Sequence, residues 1–324
     1  MQIQAVFQRY SNDLNRVEEG MEKCLRTDIN LIPQIIRHII GSGGKRFRPL
    51  LLLVAADLCG YQGERRFNLS IVLEFLHTAT LLHDDVIDSA EIRRGGISAN
   101  NIWGNAASVL VGDFLYSMAF KLMAADGSIP VMKLLSQTTN TMSEGEIFQL
   151  VMCGKIGISE KEYLSIIEKK TSILISTACA LGGMLGDAAD EQIEALARFG
   201  MRLGSAFQIT DDTLDYVARE EDFGKAIGKD LSEGKITLPL ICALRQCSAK
   251  EKSCVKKVVQ QKEQSREALL DIAALIQKYG GVDYALGKAR AYIEESKDLL
   301  RIFPDGEAKN NLLAITDYVV ERRF

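Results

Sequence analysis

Two stretches of this chain each carry three aspartates inside otherwise apolar sequence, and together they restrict the fold more than any other feature. Asp84, Asp85 and Asp88 stand in LLHDDVID, within the apolar run from Leu76 to Ile87, and Asp211, Asp212 and Asp215 stand in FQITDDTLDY, within Ala206 to Val217. In each triad the first and last acids are four residues apart, which puts them on one helix face a turn apart, with the middle one about 100° around the axis. Acids pointing from apolar helices towards a shared space do not all ionise unless cations lie between them. The expected fold therefore brings two helices together around a polar cavity holding metal ions. An all-carboxylate donor set suits a hard, oxygen-preferring ion such as magnesium over zinc. Two solvated helix-end charge clusters are the bland alternative, and it accounts for one triad better than for two of the same pattern.

The rest of the chain is compatible with one all-α domain spanning residues 1–324. Helical periodicity runs through almost every long segment and period-2 alternation is scarce. The spacing predicts helices over about 3–25, 30–41, 48–59, 68–88, 105–124, 130–150, 160–186, 190–217, 235–246, 250–278, 281–302 and 306–322, with loops at 41–44, 93–96, 153–158 and 220–234. No Pro-, Gly- or Ser-rich linker separates domains, and both triads are expected to line one central cavity. With 39 Lys+Arg against 43 Asp+Glu, the formal charge of −4 does not indicate a nucleic-acid surface. The first twenty residues lack the basic start and apolar core of a signal peptide. The longest weakly polar run, Ile173 to Gly186, falls short of the roughly 20 apolar residues that span a bilayer. Seven cysteines without a CxxC pair read as free thiols in a reducing cytoplasm.

Cations gather at the loops and helix ends. GGKRFRP sets Lys45, Arg46 and Arg48 after glycines and before a helix opening at Pro49, a segment suited to an anion. Arg93 and Arg94 follow the first triad, Lys169-Lys170-Thr171 lies in a later helix, and Lys225 and Lys235 sit in FGKAIGKDLSEGK. Singly each is more often a solvated charge, and Lys169 reads as one. Together Lys45, Arg48, Arg93, Arg94, Lys170, Lys225 and Lys235 suggest diphosphates held partly by metal-bound carboxylates and partly by Lys and Arg. About three divalent ions between two bridged acid clusters leave room for two such polyanions. Upstream of Asp84, the small Ala79 and Thr80, with Leu76 a turn deeper, would leave an apolar channel open where an aromatic would plug it. Ala79 can equally be a helix–helix packing contact.

These residues closely resemble the trans-isoprenyl diphosphate synthases, the polyprenyl synthetase family. The two aspartate motifs DDVID and DDTLD, with GGKRFRP, LEFLHTATLLHDDVID, RRGG, GNAASVLVGDFLYS, EKKT and GKDLSEGKITLPL, carry the resemblance over nearly the whole chain. As a set these motifs are specific, and they are most similar to those of bacterial octaprenyl diphosphate synthases, which make quinone side chains. The resemblance implies an all-helical barrel around a deep cavity, usually a homodimer. It implies that Lys45, Arg48, His77 and Arg94 hold isopentenyl diphosphate and that Arg93 contacts the allylic diphosphate, with Lys170, Lys225 and Lys235 closing around it. Asp84, Asp88 and Asp211 are then the main magnesium ligands, Asp85, Asp212 and Asp215 being inner- or outer-shell partners. Gln208 and Thr171 would turn side-chain oxygens towards a developing carbocation. The reaction implied is magnesium-dependent head-to-tail condensation of isopentenyl diphosphate onto an allylic diphosphate such as farnesyl diphosphate. The released diphosphate takes the proton, because no side-chain base stands out. The tunnel floor is expected to be a bulky residue of the 130–150 helix, among Met132, Leu135 and Met142. The chain departs from the family pattern after Arg93-Arg94-Gly95, where Gly96-Ile97-Ser98 replaces a lysine-proline-threonine type run.

Three other readings compete. His83-Asp84 spells the pair used by metal phosphohydrolases, but those need further histidines and only His38 and His77 remain; His83 reads as a packing or outer-shell residue beside the acids. A cyclising terpene synthase would rarely keep GKRFRP. A catalytically weak regulatory subunit, or a shorter-chain geranylgeranyl or farnesyl synthase, is the alternative to the octaprenyl type. A cytoplasmic location, with at most transient membrane contact for release of a long product, completes the expectation.

Overall fold

A computed structural model of the chain describes residues 2–41, 43–44, 46–93, 95–217, 228–261 and 264–321. The chain divides into two compact units, the first comprising Met1–Thr139, Thr177–Ala197 and Ile302–Ala314, the second Asn140–Ser176, Arg198–Arg301 and Ile315–Phe324.

The first unit opens with α1 (Ile3–Arg9), α2 (Ser11–Cys24), α3 (Leu31–Gly41) and α4 (Phe47–Leu58). The sequence predicts one helix over 3–25, but it breaks at Tyr10, whose phenol donates to Asp57 Oδ2 at 2.7 Å. At the centre stands α5 (Arg65–Ile87), packed against α2, α4 and α7 (Asn105–Asp126). It is apolar almost all round, with Phe67, Leu69, Val72, Leu73, Phe75, Leu76 and Ala79 buried, as a helix enclosed on several sides must be. Its aspartates appear only where it emerges, at its C-terminal end, while Glu74 in mid-helix is buried beside Arg46. Between α5 and α7 the RRGG segment, expected as a loop, forms a short antiparallel hairpin, β1 (Ile92–Arg93) with β2 (Gly96–Ile97), in which Ile92 faces Ile97. The short α6 (Ala99–Trp103) follows. Along α7, Val111, Leu115, Ala119 and Met123 recur every four residues and are buried, while Leu110 and Phe120 remain 66% and 45% exposed. By length and composition α7 could cross a bilayer, yet it packs lengthwise on α5 as a core helix does.

In the second unit, the latter part of α8 (Ile129–Met152) leads to α9 (Glu160–Ile167), started by a capping box in which Ser159 and Glu162 satisfy each other's backbone N–H groups. A π-helical turn, Glu168–Ser172, then interrupts the expected 160–186 helix before α10 (Ile173–Leu185). Most of α10 and the starts of α11 (Asp190–Leu214) and α17 (Glu307–Glu321) belong to the first unit; the second holds the rest of α11 and α17 together with α12 (Lys229–Ser232), α13 (Leu238–Gln246), α14 (Ala249–Val259), α15 (Arg266–Lys278), α16 (Gly281–Leu299) and the start of a 3-10 turn over Leu300–Ile302. The sequence reading merges α14 and α15; in the structure Ser265 caps α15 by accepting from the Ala268 N–H. Pro239 sits in the first turn of α13, where a missing N–H costs nothing. None of the seven cysteines forms a disulfide.

Candidate active site

The first triad ends α5. The Asp88 N–H closes the last turn on the Asp84 carbonyl at 2.8 Å, and both carboxylates are half-buried. Asp85, a third of a turn away, is fully buried. Its Oδ1 accepts from Arg93 Nε at 2.7 Å and from Arg93 Nη2, while Oδ2 is buried without a hydrogen-bond partner among the described residues. The hairpin thus places Arg93 on the acid side of α5, and His38 steadies it by bonding the Ile97 carbonyl at 2.7 Å. His83 faces the Val109 carbonyl at 3.2 Å and Asp113 at 3.4 Å and stacks on Tyr116, so it belongs to the α5–α7 contact. One to two turns upstream, Leu76 and Ala79 are buried and His77 and Thr80 half-buried, the Thr80 hydroxyl donating to the His77 carbonyl at 2.7 Å. Arg48 is half-buried in the first turn of α4. Before it, Arg46 takes a left-handed backbone (φ 46°) and its guanidinium sits 3.0 Å from Glu18 and 3.9 Å from the buried Glu74. That pairing holds a backbone conformation unfavourable to a side-chain-bearing residue. Lys45, Arg94 and Lys225 lie outside the described residues.

Asp212 of the second triad borders a cavity of about 120 Å³, lined also by Tyr163, Lys170, Thr171, Gln208, Asp230 and Lys235. Asp212 uses both oxygens: Tyr163 Oη donates to Oδ2 at 2.6 Å and Gln208 Nε2 to Oδ1 at 2.7 Å. The Thr171 hydroxyl in turn donates to Gln208 Oε1 at 3.0 Å. Asp215 staples α12 to the end of α11, its oxygens accepting from the N–H groups of Lys229 (3.2 Å) and Asp230 (3.0 Å). Asp211 is half-buried on the same helix. Lys170 donates to Glu146 at 2.6 Å and Lys235 to Glu233 at 2.6 Å, while Lys169 pairs with Glu144 at 2.7 Å.

The π-turn is what brings Lys170 and Thr171 to the cavity. A π-turn widens the helix and breaks its regular bonding, a device frequent at functional sites. Here it is gripped by two glycines. A Cβ at Gly145 would lie 2.8 Å from the Lys170 backbone nitrogen, and one at Gly204 2.7 Å from Ser172 Cα. Only glycine permits that approach of α8 and α11.

Crowded acids in a dry wall resist ionising. Burial, and then the neighbouring Asp211 and Asp215, raise Asp212 to about 6, against the opposing pull of Tyr163 and Gln208. Burial raises Asp215 as well, although the Asp230 and Lys229 N–H groups oppose it. Desolvation, followed by Asp212 and Asp215, pushes Asp230 well above the carboxylate range. Among the described residues, no three His, Cys, Asp or Glu side chains converge closely enough to hold an ion alone. Oxygen donors are nevertheless what both sites offer, with a buried Asp85 oxygen unpartnered among the described residues and acids of the second site whose ionisation burial opposes. This suits hard cations whose remaining ligands come from a bound polyanion. Sequence reasoning missed Tyr163, Asp230, Glu146 and Glu233. Asp230 lies inside GKDLSEGK, whose lysine drew the attention; Tyr163, 49 residues before Asp212, had no local signal.

An all-α chain with two acid-bearing helices, one ending α5 and one ending α11, has the isoprenoid synthase fold, and solved structures agree closely. A decaprenyl diphosphate synthase from Rhodobacter capsulatus superposes with a TM-score of 0.94 at 37% identity, covering 98% of each chain. A polyprenyl synthase from Caulobacter crescentus, solved with calcium and isoprenyl diphosphate, gives 0.95 at 36% identity, covering 100% of this chain and 98% of that one. The octaprenyl diphosphate synthase of Haemophilus influenzae is 36% identical over 324 residues, 100% of this chain and 98% of its own. The family model for polyprenyl synthetase matches residues 29–276. The chain belongs to the polyprenyl synthetase family, a prenyltransferase family of trans-polyprenyl diphosphate synthases.

Proposed function

We propose that this protein is a long-chain, octaprenyl-type diphosphate synthase, adding isopentenyl units to farnesyl diphosphate for quinone side chains, as one cytoplasmic domain. The observation that carries the reaction is the cavity where Lys170, Thr171, Gln208 and Lys235, from three separate segments, meet Asp212 of the second acid triad. Asp84, Asp88 and Asp211 are the residues we assign to about three magnesium ions; beside them Asp85, Asp212 and Asp215 accept hydrogen bonds from Arg93, from Tyr163 and Gln208, and from two backbone N–H groups. Magnesium, when bound, neutralises the allylic diphosphate so that its C–O bond can ionise. Lys170, Lys235 and Arg93 neutralise the departing diphosphate, with Lys225 added from the sequence. Lys45, Arg48, His77 and Arg94 are assigned to isopentenyl diphosphate. The Thr171 hydroxyl has its proton on Gln208, so its lone pairs are available to an adjacent cationic carbon. The apolar wall of Ile158, Ile166, Ile167 and Ile236 limits water. The double bond of isopentenyl diphosphate then attacks, and the released diphosphate takes the proton.

Product length is assigned to Ala79 and Thr80 with Leu76 behind them, and the tunnel floor to Met132, Leu135 or Met142. Support for a long product is the similarity to the octaprenyl enzyme. Incubation with magnesium, farnesyl diphosphate and labelled isopentenyl diphosphate, resolving products by length, tests the reading: a ladder ending at one dominant long product is expected. No incorporation from any allylic starter would overturn it and favour a regulatory subunit. Ala79→Tyr is expected to move the dominant product to about 20 carbons, a single addition to the farnesyl starter, since one aromatic ring fills the channel.

We further propose a homodimer, its interface including the exposed apolar side of α7, where Leu110 and Phe120 stand. Membrane contact is limited to product release.

A further inference from the structure

Deepening that functional reading, we propose that Tyr163 is a positioning residue for the prenyl transfer: through Asp212 it fixes the Gln208 amide, and Gln208 fixes the hydroxyl of Thr171 at the cavity wall.

Each link has one polarity. Tyr163 is a phenol donating to Asp212 Oδ2 at 2.6 Å. With that oxygen taken, the remaining oxygen of Asp212 accepts from a Gln208 N–H at 2.7 Å. A carboxylate cannot donate, so the amide must turn its NH2 to Asp212 and its oxygen away. That oxygen meets Thr171, whose hydroxyl has one proton and gives it to Gln208 at 3.0 Å. Four side chains from α9, the π-turn and α11 are therefore set in one sense, and the free end of the series is the Thr171 oxygen. All four line the same cavity. Tyr163 and Asp212 are 3% and 6% exposed, so neither has water as a competing partner and the charge-assisted bond is strong. A simple packing role for Tyr163 would need neither the hydroxyl nor the two further links towards the cavity.

Asp212 is on this account a positioning residue as well, and Asp211 is the neighbour assigned above to metal. Removing the Tyr163 hydroxyl frees Oδ2, lets the carboxylate turn and permits the Gln208 amide to flip. A flipped amide presents NH2 to Thr171, whose lone pairs then face the amide instead of the cavity.

The test compares the full-length enzyme with Tyr163→Phe, which keeps the ring, and with Gln208→Glu, which keeps the Asp212-distal oxygen but loses the NH2. For Tyr163→Phe we expect kcat to fall about tenfold with KM for both substrates within about twofold, as for a misplaced group remote from ground-state binding. Manganese affinity, read by electron paramagnetic resonance with inorganic pyrophosphate, should stay within about twofold, because no ligand is lost. The double variant should be no slower than Gln208→Glu alone, since the residues act in series. Unchanged kcat in Tyr163→Phe overturns the proposal, and so does a loss of manganese affinity of about tenfold, which would make Asp212 a ligand. If Tyr163→Phe does not fold, Gln208→Glu decides: a fall confined to kcat supports the series, and an unchanged kcat overturns it. Absence of prenyl transfer in the unaltered enzyme would instead refute the functional reading itself, so the two failures are distinct.

Discussion

Arg93 and Asp85 show how a residue's role depends on its environment. The Asp85 carboxylate is fully buried, and Arg93 is its hydrogen-bonding cation. Arg93→Ala is expected to destabilise by about 3 kcal/mol, the usual cost of leaving a buried charge unpaired, read by urea unfolding of the metal-free protein. Asp212 gives a pH signature. Its folded value of about 6 lies above the ordinary 3.8, so between these limits the native state holds more protons than the unfolded chain. Stability contributed by that proton is present at low pH and is lost as pH rises through about 6. Asp212→Asn removes the titration. Its melting temperature relative to the unaltered protein should therefore rise by a few degrees between pH 5 and pH 7, a scale set by about 1 kcal/mol per 2–4 °C. A constant difference across that range would contradict the assignment. The acid triads were legible because i, i+4 spacing is a local property. Tyr163 was not, because a partner 49 residues distant is chosen by packing.

Among the elements, the π-turn at Glu168–Ser172 supplies two of the cavity's lining residues, Lys170 and Thr171. EKKTS contains nothing that stops a helix, so the sequence reads straight through it from 160 to 186. The cause is external: α8 and α11 approach at Gly145 and Gly204 and leave no space for a Cβ. Gly145→Ala puts a methyl 2.8 Å from a backbone nitrogen, a contact that forces the backbone to shift. We expect a loss of about 1–3 kcal/mol from overpacking and a fall in kcat of about tenfold or more from displacement of Lys170 and Thr171. Thermal unfolding and steady-state kinetics measure the two separately. An Ala variant with unaltered kcat would show that the turn does not set the reacting geometry. The other missed boundaries have similar origins. Tyr10 ends α1 by reaching Asp57, and the hairpin at 92–97 lies where glycines and arginines alone suggest a loop.

For the whole molecule, two expectations concern assembly and ligands. Leu110→Glu puts a charge on an apolar surface residue that contacts little in its own chain. If α7 forms the subunit interface, the variant should be a monomer in light scattering while keeping its helical content, since a charge without a partner in an interface core costs several kcal/mol. A variant that remains dimeric would place the interface elsewhere. Magnesium with inorganic pyrophosphate should raise the melting temperature together by more than the sum of their separate effects, because each completes the other's ligand set. Additive shifts would argue against a jointly bound ion and diphosphate. The all-α class followed from periodicity carried through nearly every segment, whereas the division into two units had no punctuation in the sequence to announce it. The π-turn has one more implication, at the level of the gene. Such a turn houses one residue beyond what an uninterrupted helix requires. Losing a single codon between 168 and 172 would let α9 run directly into α10, preserving a foldable chain while withdrawing Lys170 and Thr171 from the cavity.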